Sequence, residues 1–212
     1  VHSVETAEAL GRMEFSVYCY TLMWSRRVAA GDLGYDLWVS RARSLELWDE
    51  LGAAGENYGM HPFGEAATSM TRLEAAFIMP AMEFNEALRT VHCEHDQTPF
   101  ELNLGWLVDF KKPHFNGRSA LLLEQKRGPK YTLTKLDVEG NKPPEGSYIY
   151  RDKRCTKEIG YVTSAMWSPA VKSNIALAMI KTEYVDDDLW AEIYYEKELR
   201  HYRRVARCTL KN

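Results

Sequence analysis

The chain lacks most of the features that mark the extreme protein classes. It has only four cysteines, Cys19, Cys93, Cys155 and Cys208, and no Cys-x-x-Cys pair. That excludes a disulfide scaffold, and the thiols are expected to be reduced in a cytosol-like compartment, so a cytoplasmic location is expected. No apolar run reaches the roughly 18 residues a membrane helix needs. Neither sign of charge dominates: the formal net charge is −3. That argues against a dedicated nucleic-acid binder or a binder of anionic membranes, although a local basic patch remains compatible with it. Internal repeats and low-complexity tracts are absent. The first residues, Val1-His2-Ser3-Val4, show no initiator methionine and no basic-then-apolar leader, so a processed or truncated chain is expected.

What is present is the composition of an ordinary globular protein. Hydrophobic residues make up 45% and charged residues 27%, enough for a sizeable core in one large domain or two small ones. Twelve tyrosines and six tryptophans supply flat amphipathic surfaces for a core or for an aromatic ligand.

Element patterns divide the chain in two. Glu14 to Met23 alternates and reads as a strand, and Tyr35 to Val39, after the turn Asp32-Leu33-Gly34, as a second. Ser40 resembles a helix N-cap, followed by Leu45, Leu47, Trp48 and Leu51 on one apolar side, with an end near Gly52 or Gly55. A second helix is predicted from about Glu65 to Ala76, before Pro80. Residues 81–98 read as a loop, Glu101 to Phe110 as extended, and Arg118 to Gln125 as a third helix. Composition changes at Lys126-Arg127-Gly128-Pro129. Beyond it strands are predicted at 131–138, 147–150, 159–163, 175–180, 189–195 and 201–210, a small β-barrel or sandwich.

Several residues invite a functional reading beside an ordinary one. A carboxylate at Asp32 can accept two hydrogen bonds from a ring N–H and an amine, but aspartate is also common in turns. Arg72 has the guanidinium for pairing with a carboxylate, or for a salt bridge on a helix surface. Tyr35 and Trp106 can stack on a ligand ring or fill a core. Arg207 is a ligand contact or a solvated strand residue. His92-Cys93-Glu94-His95 offers metal-binding atoms but has no second cluster, so a solvated loop is the better reading and no metal is expected. The basic residues Lys197, Arg200, His201, Arg203, Arg204 and Arg207 follow an acidic run, Glu183 and Asp186 to Asp188, and read as a solvated strand pair with complementary charge. Ser164 and Ser168 have no nucleophile-elbow context, and Gly31 and Gly34 do not make a dinucleotide fingerprint.

Four segments in order carry a family resemblance. Gly31-Asp32-Leu33-Gly34-Tyr35-Asp36-Leu37-Trp38-Val39 with Leu47-Trp48-Asp49 is the first, and Met70-Thr71-Arg72-Leu73-Glu74-Ala75 the second. The third is Thr98-Pro99-Phe100-Glu101-Leu102-Asn103-Leu104-Gly105-Trp106 with Phe115-Asn116-Gly117-Arg118-Ser119-Ala120-Leu121. The fourth is Gly160-Tyr161-Val162-Thr163-Ser164 with Ser168-Pro169 and Asn174-Ile175-Ala176. Together they resemble the C-terminal half of the glycine-cleavage T-protein (aminomethyltransferase) and folate-dependent demethylase superfamily.

The resemblance implies an α+β chain: the C-terminal part of a T-protein-like folate-binding domain over 1–125, then a β-barrel domain over 126–212. It implies tetrahydrofolate as cofactor, with Asp32, Tyr35, Arg72, Trp106 and Arg207 as its contacts. It also implies a missing N-terminal half, carried upstream or on a separate subunit, which in the family holds a key acidic residue. No catalytic residue is assigned in this chain. Val28-Ala29-Ala30 stands where aminomethyltransferases usually have Gly-Tyr-Thr, which favours a demethylase-type relative acting on another small-molecule methyl donor. The alternatives are a non-catalytic folate-binding or regulatory module, and the folate domain of a dimethylglycine or sarcosine dehydrogenase.

Overall fold

A computed structural model describes residues 23–27, 34–85 and 96–211. These fall in two compact units, Val1–Phe77 and Ile78–Asn212, and each is described by itself.

In the first unit, β1 (Met23–Arg27) pairs antiparallel with β2 (Gly34–Trp38), Met23 opposite Trp38 and Arg27 opposite Gly34. Apart from Met23, the strand expected over residues 14–23 lies outside the described residues. A 3-10 turn, Arg41–Arg43, leads into α1 (Ser44–Gly55). The expected cap Ser40 precedes the 3-10 turn and makes no side-chain capping bond. Arg43 instead holds the exposed Glu46 three residues on, at 2.7 Å. Leu47 is the buried apolar residue of α1, and Gly55 lets the helix end pack against the Met60 side chain. α2 (Glu65–Glu74) buries Arg72 and Leu73.

The second unit is built around a closed six-stranded barrel, order β3-β6-β5-β4-β7-β8, with all neighbours antiparallel. The strands are β3 (Tyr131–Val138), β4 (Tyr148–Tyr150), β5 (Glu158–Ser168), β6 (Ser173–Lys181), β7 (Leu189–Lys197) and β8 (Arg200–Leu210). Closure resolves the barrel-or-sandwich alternative and removes sheet edges along the seams. Alternating residues fill the interior: Leu136, Val138, Ile149, Val162, Ala176, Ala178, Ile180, Ala191 and Ile193 are all buried. The small alanines of β6 and β7 leave room for the branched side chains opposite. β6 is buried on both faces, so Ile175, Leu177 and Met179 face the segment packed outside the barrel.

Residues 101–110 are not extended as the apolar composition implied. They form turns and a 3-10 turn, Gly105–Leu107. The reason is local. Thr98-Pro99-Phe100-Glu101 is a reciprocal cap: Glu101 N–H donates to Thr98 Oγ1 (3.2 Å) and Thr98 N–H to Glu101 Oε2 (3.2 Å). Asn103 then takes a left-handed conformation, φ 60°, which asparagine tolerates. α3 (Arg118–Arg127) follows and ends at Gly128, whose N–H reaches Glu124 O at 2.8 Å.

Candidate functional site

The best-defined concavity lies on the barrel's flank, where the Thr-Pro-Phe-Glu turn meets β3 and β5. It measures about 610 Å³ and is lined by Asp96, Gln97, Glu101, Lys130, Tyr131, Tyr161 and Met179. That volume falls within the range of small-molecule sites.

Several wall residues are held in place by hydrogen bonds. Glu101 is buried, and its second carboxylate oxygen accepts Tyr131 N–H at 3.1 Å, while its own carbonyl accepts Leu133 N–H at 2.7 Å. Asn103 Nδ2 donates to Leu133 O at 2.8 Å. The turn is thereby stitched to the start of β3. Behind it, Thr98 Oγ1 donates to the buried Glu124 of α3 at 2.8 Å. Gln97 is oriented at both ends: Oε1 accepts Asn85 N–H and Nε2 donates to Tyr161 Oη, each at 3.2 Å. Tyr131 and Tyr161 meet edge to face, centroids 6.5 Å apart, and Lys130 Nζ lies 5.4 Å from the Tyr131 ring centre. Burial pushes the Tyr161 hydroxyl above its ordinary pKa, against the opposing bond from Gln97, so it stays protonated and able to donate.

The chemistry on offer is binding: two aromatic rings, a primary amide, two carboxylates and an ammonium. Among the described residues no group of three or more His, Cys, Asp or Glu is placed to hold a metal ion. The His92-Cys93-Glu94-His95 segment lies outside the described residues.

Four of the five residues expected from the sequence are described, each within its own unit. Asp32 lies outside the described residues. Tyr35, in β2, is half-buried opposite Arg26. Arg72 is only 3% exposed, and Nη1 donates to Phe77 O at 3.2 Å while Phe77 N–H returns to Arg72 O at 2.8 Å. The helix-surface reading of Arg72 is therefore replaced by a buried guanidinium that closes the end of α2. Trp106 is 79% exposed on its 3-10 turn, which packs closely because Gly105 leaves space for the Phe100 ring. Arg207 sits on an exposed strand position and pairs with Asp188 at 3.0 Å, joining the acidic and basic runs as their charge pattern implied. Trp106 and Arg207, in the same unit as the cavity, are not among its lining residues. Gln97, Lys130, Tyr131 and Tyr161 were not singled out from the sequence. The one available cue was the Thr-x-x-Glu spacing at 98–101, which marks a rigid turn without saying what it faces.

Comparison with known proteins places the fold. The GCVT N-terminal domain model matches residues 8–112, and the glycine cleavage T-protein C-terminal barrel domain matches residues 132–210. The chain belongs to the glycine-cleavage T-protein superfamily. It is 34% identical over 161 residues to an aminomethyltransferase of Caldanaerobacter subterraneus subsp. tengcongensis, covering 76% of this chain and 40% of that protein. With an aminomethyltransferase of Leptospira interrogans it shares 28% identity over 187 residues, covering 88% and 47%. The crystal structure of the glycine cleavage system aminomethyltransferase T from Bartonella henselae superposes with a TM-score of 0.71 at 20% identity, over 92% of this chain and 49% of that one. The chain thus spans less than half the length of these relatives.

Proposed function

We propose that the chain is part of a tetrahydrofolate-dependent one-carbon transferase. The observation that carries this reading is the match of both T-protein domain models, in order, along one chain whose relatives are aminomethyltransferases. The proposed division keeps a folate-binding part over 1–125 and the barrel over 126–212.

Tetrahydrofolate supplies a ring nitrogen that accepts the one-carbon unit. The residues of this chain bind and orient. The open indole of Trp106 suits stacking on a flat ring, and Tyr35 is the second aromatic assigned to the cofactor. Arg72 and Arg207 are the guanidinium groups assigned to the cofactor's carboxylates, and Asp32 supplies a carboxylate for ring N–H groups. Among donors we favour a methylated small molecule over the glycine-derived aminomethyl group, on the strength of Val28-Ala29-Ala30.

The proposed partner is a polypeptide carrying the rest of the T-protein fold, whether joined upstream or separate. It is supported by the 40% coverage of the relative's length and by the exposed Trp38, Leu45, Trp48 and Phe63 of the first unit. A calorimetric titration against tetrahydrofolate and 5-methyltetrahydrofolate, with and without the complementary half, tests the reading. Trp106→Ala should weaken binding about three- to tenfold, the equivalent of one stacked ring. Folded protein that binds neither folate, with the half present, sinks it. Binding without turnover of any methyl donor selects the non-catalytic module instead.

A further inference from the structure

The barrel accounts for only part of the β7–β8 hairpin. β7 meets β4 at residues 190–192, and β8 meets β3 at residues 208–210. Beyond those seams five cross-strand pairs, from Ile193 with Arg204 to Lys197 with Arg200, continue as a two-stranded ribbon. At about 3.4 Å per residue it projects some 15 Å past the seams.

The two faces of this ribbon differ. Cross-strand partners share a face, so the face that continues the barrel interior past Ile193 carries Tyr195, Tyr202, Lys197, Arg200 and Arg204. Tyr195 and Tyr202 stack there, centroids 5.5 Å apart and nearly parallel. Lys142, from the β3–β4 loop, places Nζ 5.1 Å from the Tyr195 ring centre, and Arg204 Nη1 donates to Asn141 Oδ1 at 3.1 Å. That loop is fixed in place: Asn174 Nδ2 donates to Gly140 O at 2.6 Å, and Gly140, at φ 105°, leaves the space that the Arg204 guanidinium fills. The opposite face neutralises itself, with Glu192 taking hydrogen bonds from Arg203 and Tyr194. Residues 193–207 hold five basic and two acidic side chains, a net of +3 on a chain whose formal net is −3.

The tip is equally pointed. Glu198 and Leu199 form the two-residue loop, both with positive φ, 53° and 58°. Such a loop ordinarily selects asparagine and glycine, and a leucine there is strained and 91% exposed. Folding gains nothing from it.

We propose that this ribbon is a docking arm for an acidic protein segment: Lys142, Arg200 and Arg204 meet its carboxylates and Leu199 enters an apolar notch, while Lys197 pairs with Glu198 at the tip, 3.6 Å apart. Local charge complementarity selects the acid, and the exposed apolar tip selects protein over nucleic acid. The proposal does not depend on the folate reading.

A fluorescent peptide alternating glutamate and leucine, titrated into the full chain, tests it against a lysine-containing counterpart and single-stranded oligothymidine. The acidic peptide should bind in a salt-sensitive way, and Arg200→Glu with Arg204→Glu should weaken it at least about tenfold, whereas Lys111→Glu with Lys112→Glu, on a distant surface, should not. Leu199→Gly should also weaken binding while leaving the melting temperature unchanged or raised, since glycine relieves the tip. Failure of the peptide to bind, insensitivity to the Arg200/Arg204 pair, or preference for the oligonucleotide each overturns the proposal.

Discussion

The barrel and the first unit solve the burial problem to different degrees. The barrel closes on itself and seals a continuous core from Leu136 to Cys208. Among described residues 34–77, the buried side chains reduce to Leu47, Arg72 and Leu73, while Trp38, Leu45, Trp48, Tyr58 and Phe63 are exposed. A two-stranded sheet and two short helices do not by themselves enclose a core. The barrel is a finished module, and the described part of the first unit leaves large apolar side chains exposed.

The contrast breaks most visibly at core positions. Leu136→Ala or Ile149→Ala, both fully buried, should each cost about 2–5 kcal/mol in urea unfolding. Trp48→Ala should move the midpoint by less than about 0.5 kcal/mol. A large loss at Trp48 would mean the first unit has a hidden core.

Glu83 gives the next largest effect. It is 1% exposed and caps a turn, accepting Met79 N–H at 2.7 Å and hydroxyls from Ser164 and Thr163 on β5. The β5 bulge between Val162 and Ser164 turns those hydroxyls outward to meet it. Glu83→Ala strips the carboxylate from the buried Ser164 hydroxyl and from Met79 N–H, while Thr163 keeps Leu177 O, and should cost about 2–4 kcal/mol, with Glu83→Gln losing less. Thermal unfolding of the two variants would separate them.

Gly160→Ala should come next. A Cβ there would lie 2.3 Å from Met179 O of the neighbouring strand, so β5 and β6 must part, costing about 1–3 kcal/mol.

At neutral pH the titrating groups change stability least, and their effect emerges only at the pH extremes. Burial pushes the Cys208 thiol up to about 12 from 9.0. The folded state therefore holds a proton that the unfolded chain releases. Stability from this group is full below pH 9 and declines as pH rises from 9 towards 12, by at most about 1.4 kcal/mol per unit. On the acid side, Asp137 has its carboxyl raised by burial but lowered more by Ser173 and Lys211, so its contribution is present above about pH 4 and is lost as pH falls below that. Urea midpoints across pH check both signs.

Legibility followed the same divide. The barrel strands were readable because alternation and turn residues repeat over every strand: residues 131–138 match β3 end to end and 201–210 miss β8 by one residue, whereas 159–163 stop short of the second half of β5, which runs on to Ser168. The segment 101–110 was misread because its apolar residues serve a capped turn rather than a sheet. Arg72 was misplaced because helical spacing does not show that Phe77 folds back over the helix end. The four ordered motifs identified the superfamily without any geometry; they include Tyr161 but give no sign that it faces Tyr131 across a cavity.

The sequence by itself determined the family, the helix positions, the barrel strands and the excess of basic side chains near the end. These follow from local periodicity and from residue identity. The tertiary structure alone decided that the strands close, that Glu101 and Gln97 meet Tyr131 and Tyr161 around one cavity, and that the basic residues divide into a neutralised face and an open one. Those outcomes depend on contacts between residues far apart in the chain, Gln97 with Tyr161 and Lys142 with Tyr195, and only strand register and loop packing fix such contacts.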